Sequence, residues 1–143
     1  MIPFSIQGKN PVTRAIVPTR VLVIDSEPLI RWSICAALAA AGFDAVAAAD
    51  ATEAGRVAME WPPPRVVLLD LRFPDVEGRE LLTSIRAVYP DCRFLIMTTD
   101  PRPAGIEDGR ANGVEVIEKP FDLARITERI ARLAEGGAEE IRP

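Results

Sequence analysis

Short apolar runs that end in a polar residue alternate along this chain with stretches whose apolar positions recur every three or four residues. Residues 20–25 (RVLVID) form a run of the first kind and predict a buried strand ending in an acid. Ser26 is placed to cap the helix that follows, Pro28 suits its first turn, and Gly42 ends it after about residue 41. Residues 43–49 predict a second, weaker strand. Asp50-Ala-Thr-Glu53 has the form of a capping box and opens a helix running to about Trp61, where the prolines at 62–64 stop it. Residues 65–70 (RVVLLD) give the clearest strand, which also ends in an acid. Residues 73–78 read as a turn-rich loop. Leu81, Leu82, Ile85 and Val88 then mark an amphipathic helix over 80–88. Residues 92–98 (CRFLIMT) predict a fourth strand ending in a hydroxyl, and 114–118 a fifth. Leu123, Ile126, Ile130 and Leu133 line one face of a last helix over 121–133, which Gly136 and Gly137 end.

Strands alternating with helices imply a parallel sheet covered on both faces. Right-handed crossovers leave few arrangements. The expectation is an α/β, flavodoxin-like (βα)5 doubly wound sheet of five strands in the order 2-1-3-4-5, with ligands at the carboxyl ends of the strands. Between the fourth and fifth strands, Pro101, Pro103, Gly105 and Gly109 permit one or two helical turns at most. The domain expected is 20–134. It is preceded by a poorly ordered arm, 1–19, and followed by a short flexible tail, 135–143, with no room for an output domain.

Composition narrows the function. A net charge of −4 and 6% aromatic residues argue against a nucleic-acid surface. The longest uncharged apolar run, 32–43, is too short to span a bilayer, and the N-terminus lacks the apolar stretch of a secretory signal. Cys35 and Cys92 read as reduced, semi-buried residues of a cytoplasmic protein. The chain has no histidine, so any chemistry must use carboxylates, hydroxyls or lysine. Of 17 basic residues only Lys9 and Lys119 are lysines. Lys119 therefore stands out as a compact point charge in a chain that otherwise uses arginine.

The strand ends supply a coherent set. The first delivers Asp25, Ser26 and Glu27, the third Asp70, the fourth Thr98 and Thr99, and the fifth Lys119 followed by Pro120. In the expected strand order these converge on one edge. Carboxylates, a hydroxyl and one ammonium suit phosphoryl transfer, with Mg²⁺ held by one or two carboxylates and a carboxylate as acceptor.

The motifs VLVIDSE, VVLLDLRFPDVEG, IMTTD and EKPFD, in this order and spacing, resemble the receiver domains of bacterial response regulators over about residues 20–133. Ile30-Arg31-Trp32 and the loop from Asp70 to Pro74 are most similar to receivers of the nitrogen-regulatory type. The resemblance implies that Asp70 is the phosphoacceptor, that Asp25 and Asp70 are acids of the Mg²⁺ site, and that the backbone carbonyl of Arg72 is a further ligand. Ser26 or Glu27 is a candidate additional ligand. It implies that Thr98 follows the phosphoryl group, and that Lys119 pairs with it beside a cis bond to Pro120. It further implies a sensor histidine kinase or a histidine phosphotransfer protein as donor, a downstream protein target, and a homodimer as a further association. Such a chain is not an enzyme beyond its own phosphorylation and dephosphorylation.

Three positions depart from the family pattern. Ser26 stands where a second, metal-binding Asp is usual, Thr99 where a small residue is usual, and Val116 where an aromatic switch residue is usual. Ser26 and Val116 motivate an alternative, a phosphorylation-independent module that binds a partner. A haloacid-dehalogenase-type phosphatase with Asp25 as nucleophile is disfavoured. It needs an Asp where Glu27 stands, and acids where Pro120 and Phe121 stand.

Overall fold

Successive strand residues face opposite sides of a sheet, so strands that are apolar at every position need cover on both faces. The computed structural model, which describes residues 18–60, 62–70, 75–98 and 113–141, supplies that cover. Its elements are β1 (Arg20–Ile24), α1 (Pro28–Ala40), β2 (Asp44–Ala48), α2 (Ala51–Ala58), β3 (Val66–Asp70), α3 (Asp75–Val88), β4 (Arg93–Thr98), β5 (Val114–Glu118) and α4 (Leu123–Ile141). All strand pairs are parallel and the order is β2-β1-β3-β4-β5, as the sequence predicts.

The sheet divides the core in two. On one side Leu22, Ile24, Val67, Leu69, Phe94 and Ile96 pack against Ala54 and Val57 of α2 and Leu81 and Ile85 of α3. On the other, Val21, Val23, Val66, Leu68, Leu95 and Met97 pack against Ile34 and Leu38 of α1 and Ile126, Ile130 and Leu133 of α4. Each such side chain taken out of water contributes about 1.5–3 kcal/mol. The central strands β1, β3 and β4 are thus the most firmly held part of the molecule. Their carboxyl ends are a rigid platform.

Helix ends follow local chemistry. Gly42 has φ +97°, and the N–H groups of Gly42 and Phe43 bond the carbonyls of Ala39 and Leu38, a Schellman ending for α1. Asp50 Oδ1 accepts the Glu53 N–H at 2.8 Å and caps α2, while Glu53 Oε1 accepts the Ala49 N–H at 2.8 Å.

Several expected boundaries move. Ser26 does not cap α1; Glu27 occupies the N-cap without a side-chain capping bond, and Ser26 is exposed. The buried Asp25 takes the Glu27 N–H instead. Helix α2 ends at Ala58, short of Trp61. Helix α3 begins at Asp75, inside the segment expected to be a loop, so its backbone carries Gly78. Helix α4 starts at Leu123 and continues through Gly136 and Gly137 to Ile141. A helical glycine costs only about 1 kcal/mol, which flanking alanines and glutamates can offset. The expected arm up to residue 17, the loop at 73–74 and the segment 101–112 lie outside the described residues.

Candidate functional site at the carboxyl edge of the sheet

Strand register assembles the site. Ile24 of β1 pairs with Leu69 of β3, so Asp25 and Asp70 leave the sheet side by side on strands about 5 Å apart. Both continue the face that buries Val23 and Leu68, toward α1 and α4. Asp25 and Asp70 are 0% and 1% exposed. On the other side of β3, Asp70 pairs with Met97, so Thr98 emerges one residue further along β4, buried in the series of Phe94 and Ile96. Thr98 in turn pairs with Glu118, and the Lys119 N–H bonds the Thr98 carbonyl at 2.7 Å. Lys119 follows the side of Ile117, the same side as Asp70.

The direct consequence is an ion pair. Lys119 Nζ lies 3.2 Å from Asp70 Oδ1. A carboxylate this buried is costly unless paired, and the ammonium compensates it. The Lys119–Pro120 bond is cis, as the resemblance implied. Asp25 is held by a different set: its N–H bonds the Ala48 carbonyl at 3.2 Å, and its Oδ1 accepts the Glu27 N–H at 2.8 Å. Its carbonyl accepts Arg31 Nη1 at 2.6 Å. Sequence reasoning gave Arg31 no role. The available signal was a cation close to the N-terminus of a helix, where the dipole disfavours it.

Two buried carboxylates on neighbouring strand ends are a hard-oxygen donor set that suits Mg²⁺. Among the described residues no three or more Asp, Glu, His or Cys side chains come close enough to hold an ion, so Glu27 does not join Asp25 and Asp70 in such a cluster. Arg72 and Thr99 lie outside the described residues. Val116 is partly buried against the α2–α3 core, and its carbonyl accepts Arg129 Nη2 at 3.2 Å. Around the edge, Leu29 and Trp32 are exposed. An open apolar groove lined by Leu29, Ile30, Ile34, Phe121 and Leu123 adjoins Lys119. No helix among the described residues is long and apolar enough to cross a membrane.

The response regulator receiver domain family model matches residues 21–131. The chain belongs to that family. Among curated relatives, the transcriptional regulatory protein PrrA of Mycobacterium tuberculosis is 33% identical over 118 residues, 80% of this chain and 49% of PrrA. The DNA-binding transcriptional regulator NtrC of Salmonella typhimurium is 28% identical over 124 residues, 86% of this chain and 26% of NtrC. This receiver thus spans about half the length of PrrA and a quarter of NtrC. Among solved structures, Vibrio cholerae chemotaxis protein CheY4 superposes with a TM-score of 0.71 at 27% identity, covering 82% of this chain and 99% of CheY4. The receiver fold serves two-component signalling. Of the motif positions that suggested the family, Asp25, Asp70, Thr98 and Lys119 lie at one edge of the sheet.

Proposed function

We propose that this receiver accepts a phosphoryl group on Asp70 from a phosphohistidine of a sensor histidine kinase or phosphotransfer protein, and thereby switches its binding to a downstream protein target. The observation that carries the reading is the Lys119 Nζ–Asp70 Oδ1 contact of 3.2 Å at a buried carboxylate beside Asp25. In the transfer, an Asp70 carboxylate oxygen attacks phosphorus and the P–N bond to the donor imidazole breaks. The product is an acyl phosphate on Asp70 and a free imidazole on the partner. Lys119 then exchanges its carboxylate partner for a phosphoryl oxygen, and the Thr98 hydroxyl is one strand away to donate to another. Asp25 and Asp70 would hold Mg²⁺, with the Arg72 carbonyl as a further ligand; bound there, the ion neutralises charge on the transferring oxygens. The exposed Leu29 and Trp32 are apolar surface that a donor protein would cover as it approaches Asp70. Cys35 and Cys92 are both free thiols, which supports a cytoplasmic setting.

Incubation with acetyl phosphate and MgCl2, or with a cognate kinase, tests this by intact mass. A phosphoryl adduct that Asp70→Ala removes is expected. Absence of any adduct under both conditions overturns the proposal.

A second reading keeps the fold but not the chemistry: a module that binds its partner without phosphorylation. The exposed, neutral Ser26 at the metal side of the site and the absence of a ring at Val116 favour it. Failure to bind Mg²⁺ at millimolar concentration would select this second reading.

A further inference from the structure

We propose that Arg31 is a positioning residue for Asp25 and thereby sets the divalent-cation affinity of the site. The inference rests on the reading of Asp25 and Asp70 as the carboxylates that hold Mg²⁺.

Arg31 sits where a cation is disfavoured. Its N–H makes the first backbone bond of α1, to the Glu27 carbonyl at 3.0 Å. Its side chain extends back toward the helix N-terminus, as helical side chains do. There the positive end of the helix repels a cation by about 0.3–1 kcal/mol. The guanidinium nonetheless lies partly buried in this region and makes a short bond, 2.6 Å, to the Asp25 carbonyl.

That bond completes a three-point restraint on one residue. The Asp25 N–H is tied to Ala48 of β2, its Oδ1 to the Glu27 N–H, and its carbonyl to Arg31. One restraint comes from β2 and two from the cap and first turn of α1, and together they fix where the carboxylate stands relative to Asp70. Fixing matters more here than in a site with three acids. Ser26 brings no charge, and no third acid joins the pair among the described residues. Mg²⁺ demands near-octahedral geometry and keeps several waters, so a two-carboxylate site depends on the placement of each carboxylate.

Electrostatics and positioning predict opposite signs. Arg31 is a cation one peptide unit from a metal-binding carboxylate, so its charge alone weakens Mg²⁺ binding and its removal would tighten it. If positioning dominates, removal loosens binding.

The test is a MgCl2 titration of the full chain and its variants, followed by backbone amide NMR shifts around Asp25, with urea denaturation of each protein without metal. Arg31→Met is expected to raise the Kd about tenfold, the low end of the effect of losing a supporting contact to a metal ligand. Arg31→Lys, which keeps the charge but not the fork, should raise it less. Gly42→Ala, which strains the turn at the opposite end of α1 from Arg31, should lower stability and leave the Kd unchanged. An Arg31→Met Kd that is unchanged or lower overturns the proposal while the metal reading stands. If Arg31→Met does not fold, Arg31→Lys decides in the same way, an unchanged Kd overturning the proposal. A parent protein that does not bind Mg²⁺ overturns both.

Discussion

Lys119 and Asp70, 49 residues apart in the chain, meet at 3.2 Å because β4 lies between their strands and hands the register across. Asp70 is 1% exposed and Lys119 14%. The contact is therefore a nearly buried ion pair.

Breaking that pair from one side removes a cation from beside a buried carboxylate. Lys119→Met is expected to cost about 2 kcal/mol, less than the 3–5 kcal/mol typical of fully buried pairs because Lys119 retains some solvent contact. In Asp70→Asn the charge is absent, and adding Lys119→Met should then cost little. Urea denaturation of the two single variants and the double variant gives the coupling. Additive effects would mean the ion pair contributes nothing.

Asp50 caps α2 through a 2.8 Å bond to the Glu53 N–H. Asp50→Ala should lower stability by about 1 kcal/mol. Phosphoryl incorporation by Asp70 should not change. Thermal denaturation and intact-mass assays on one preparation check both halves.

Gly42 closes α1 at φ +97°, and a Cβ added there meets nothing within 4 Å. Any penalty for Gly42→Ala is therefore backbone strain alone. It is expected to be about 1–2 kcal/mol, the usual cost of left-handed geometry for a residue with a side chain. A loss near zero in urea denaturation would show that the turn relaxes.

Burial pushes the Cys92 thiol from 9.0 up to about 12, against smaller opposing effects of Arg65 and the Arg93 backbone. Burial raises Cys35 less completely, with the Arg31 guanidinium pulling the other way. The raised group stays protonated in the folded state while its unfolded counterpart ionises near 9.0. Its contribution to stability is thus full below pH 9 and is lost as pH rises from there toward 12. Maleimide labelling at pH 8 should leave Cys92 unmodified in the native protein and modify both cysteines in urea. Rapid native labelling of Cys92 would contradict the burial argument.

Period and punctuation alone determined the five strands, their parallel order and the residues at their ends. A fully apolar run such as VVLLD has one stable environment, the middle of a sheet covered on both faces. Acids at two such strand ends, a threonine at a third and a lysine after a fourth were therefore legible as one edge before any coordinates. Local chemistry also marked Gly42 and the Asp50 cap, since both act within one turn of chain. What the sequence missed depends on contacts across elements or on competing costs. Ser26 stands exposed, and the buried Asp25 carboxylate takes the Glu27 N–H in its place. Helices α3 and α4 absorbed Gly78, Gly136 and Gly137 because a glycine penalty is small beside the run that surrounds it. Only tertiary structure decided that Lys119 pairs with Asp70 and that Arg31 reaches the Asp25 carbonyl, because strand register and helix docking, not spacing along the chain, set those distances.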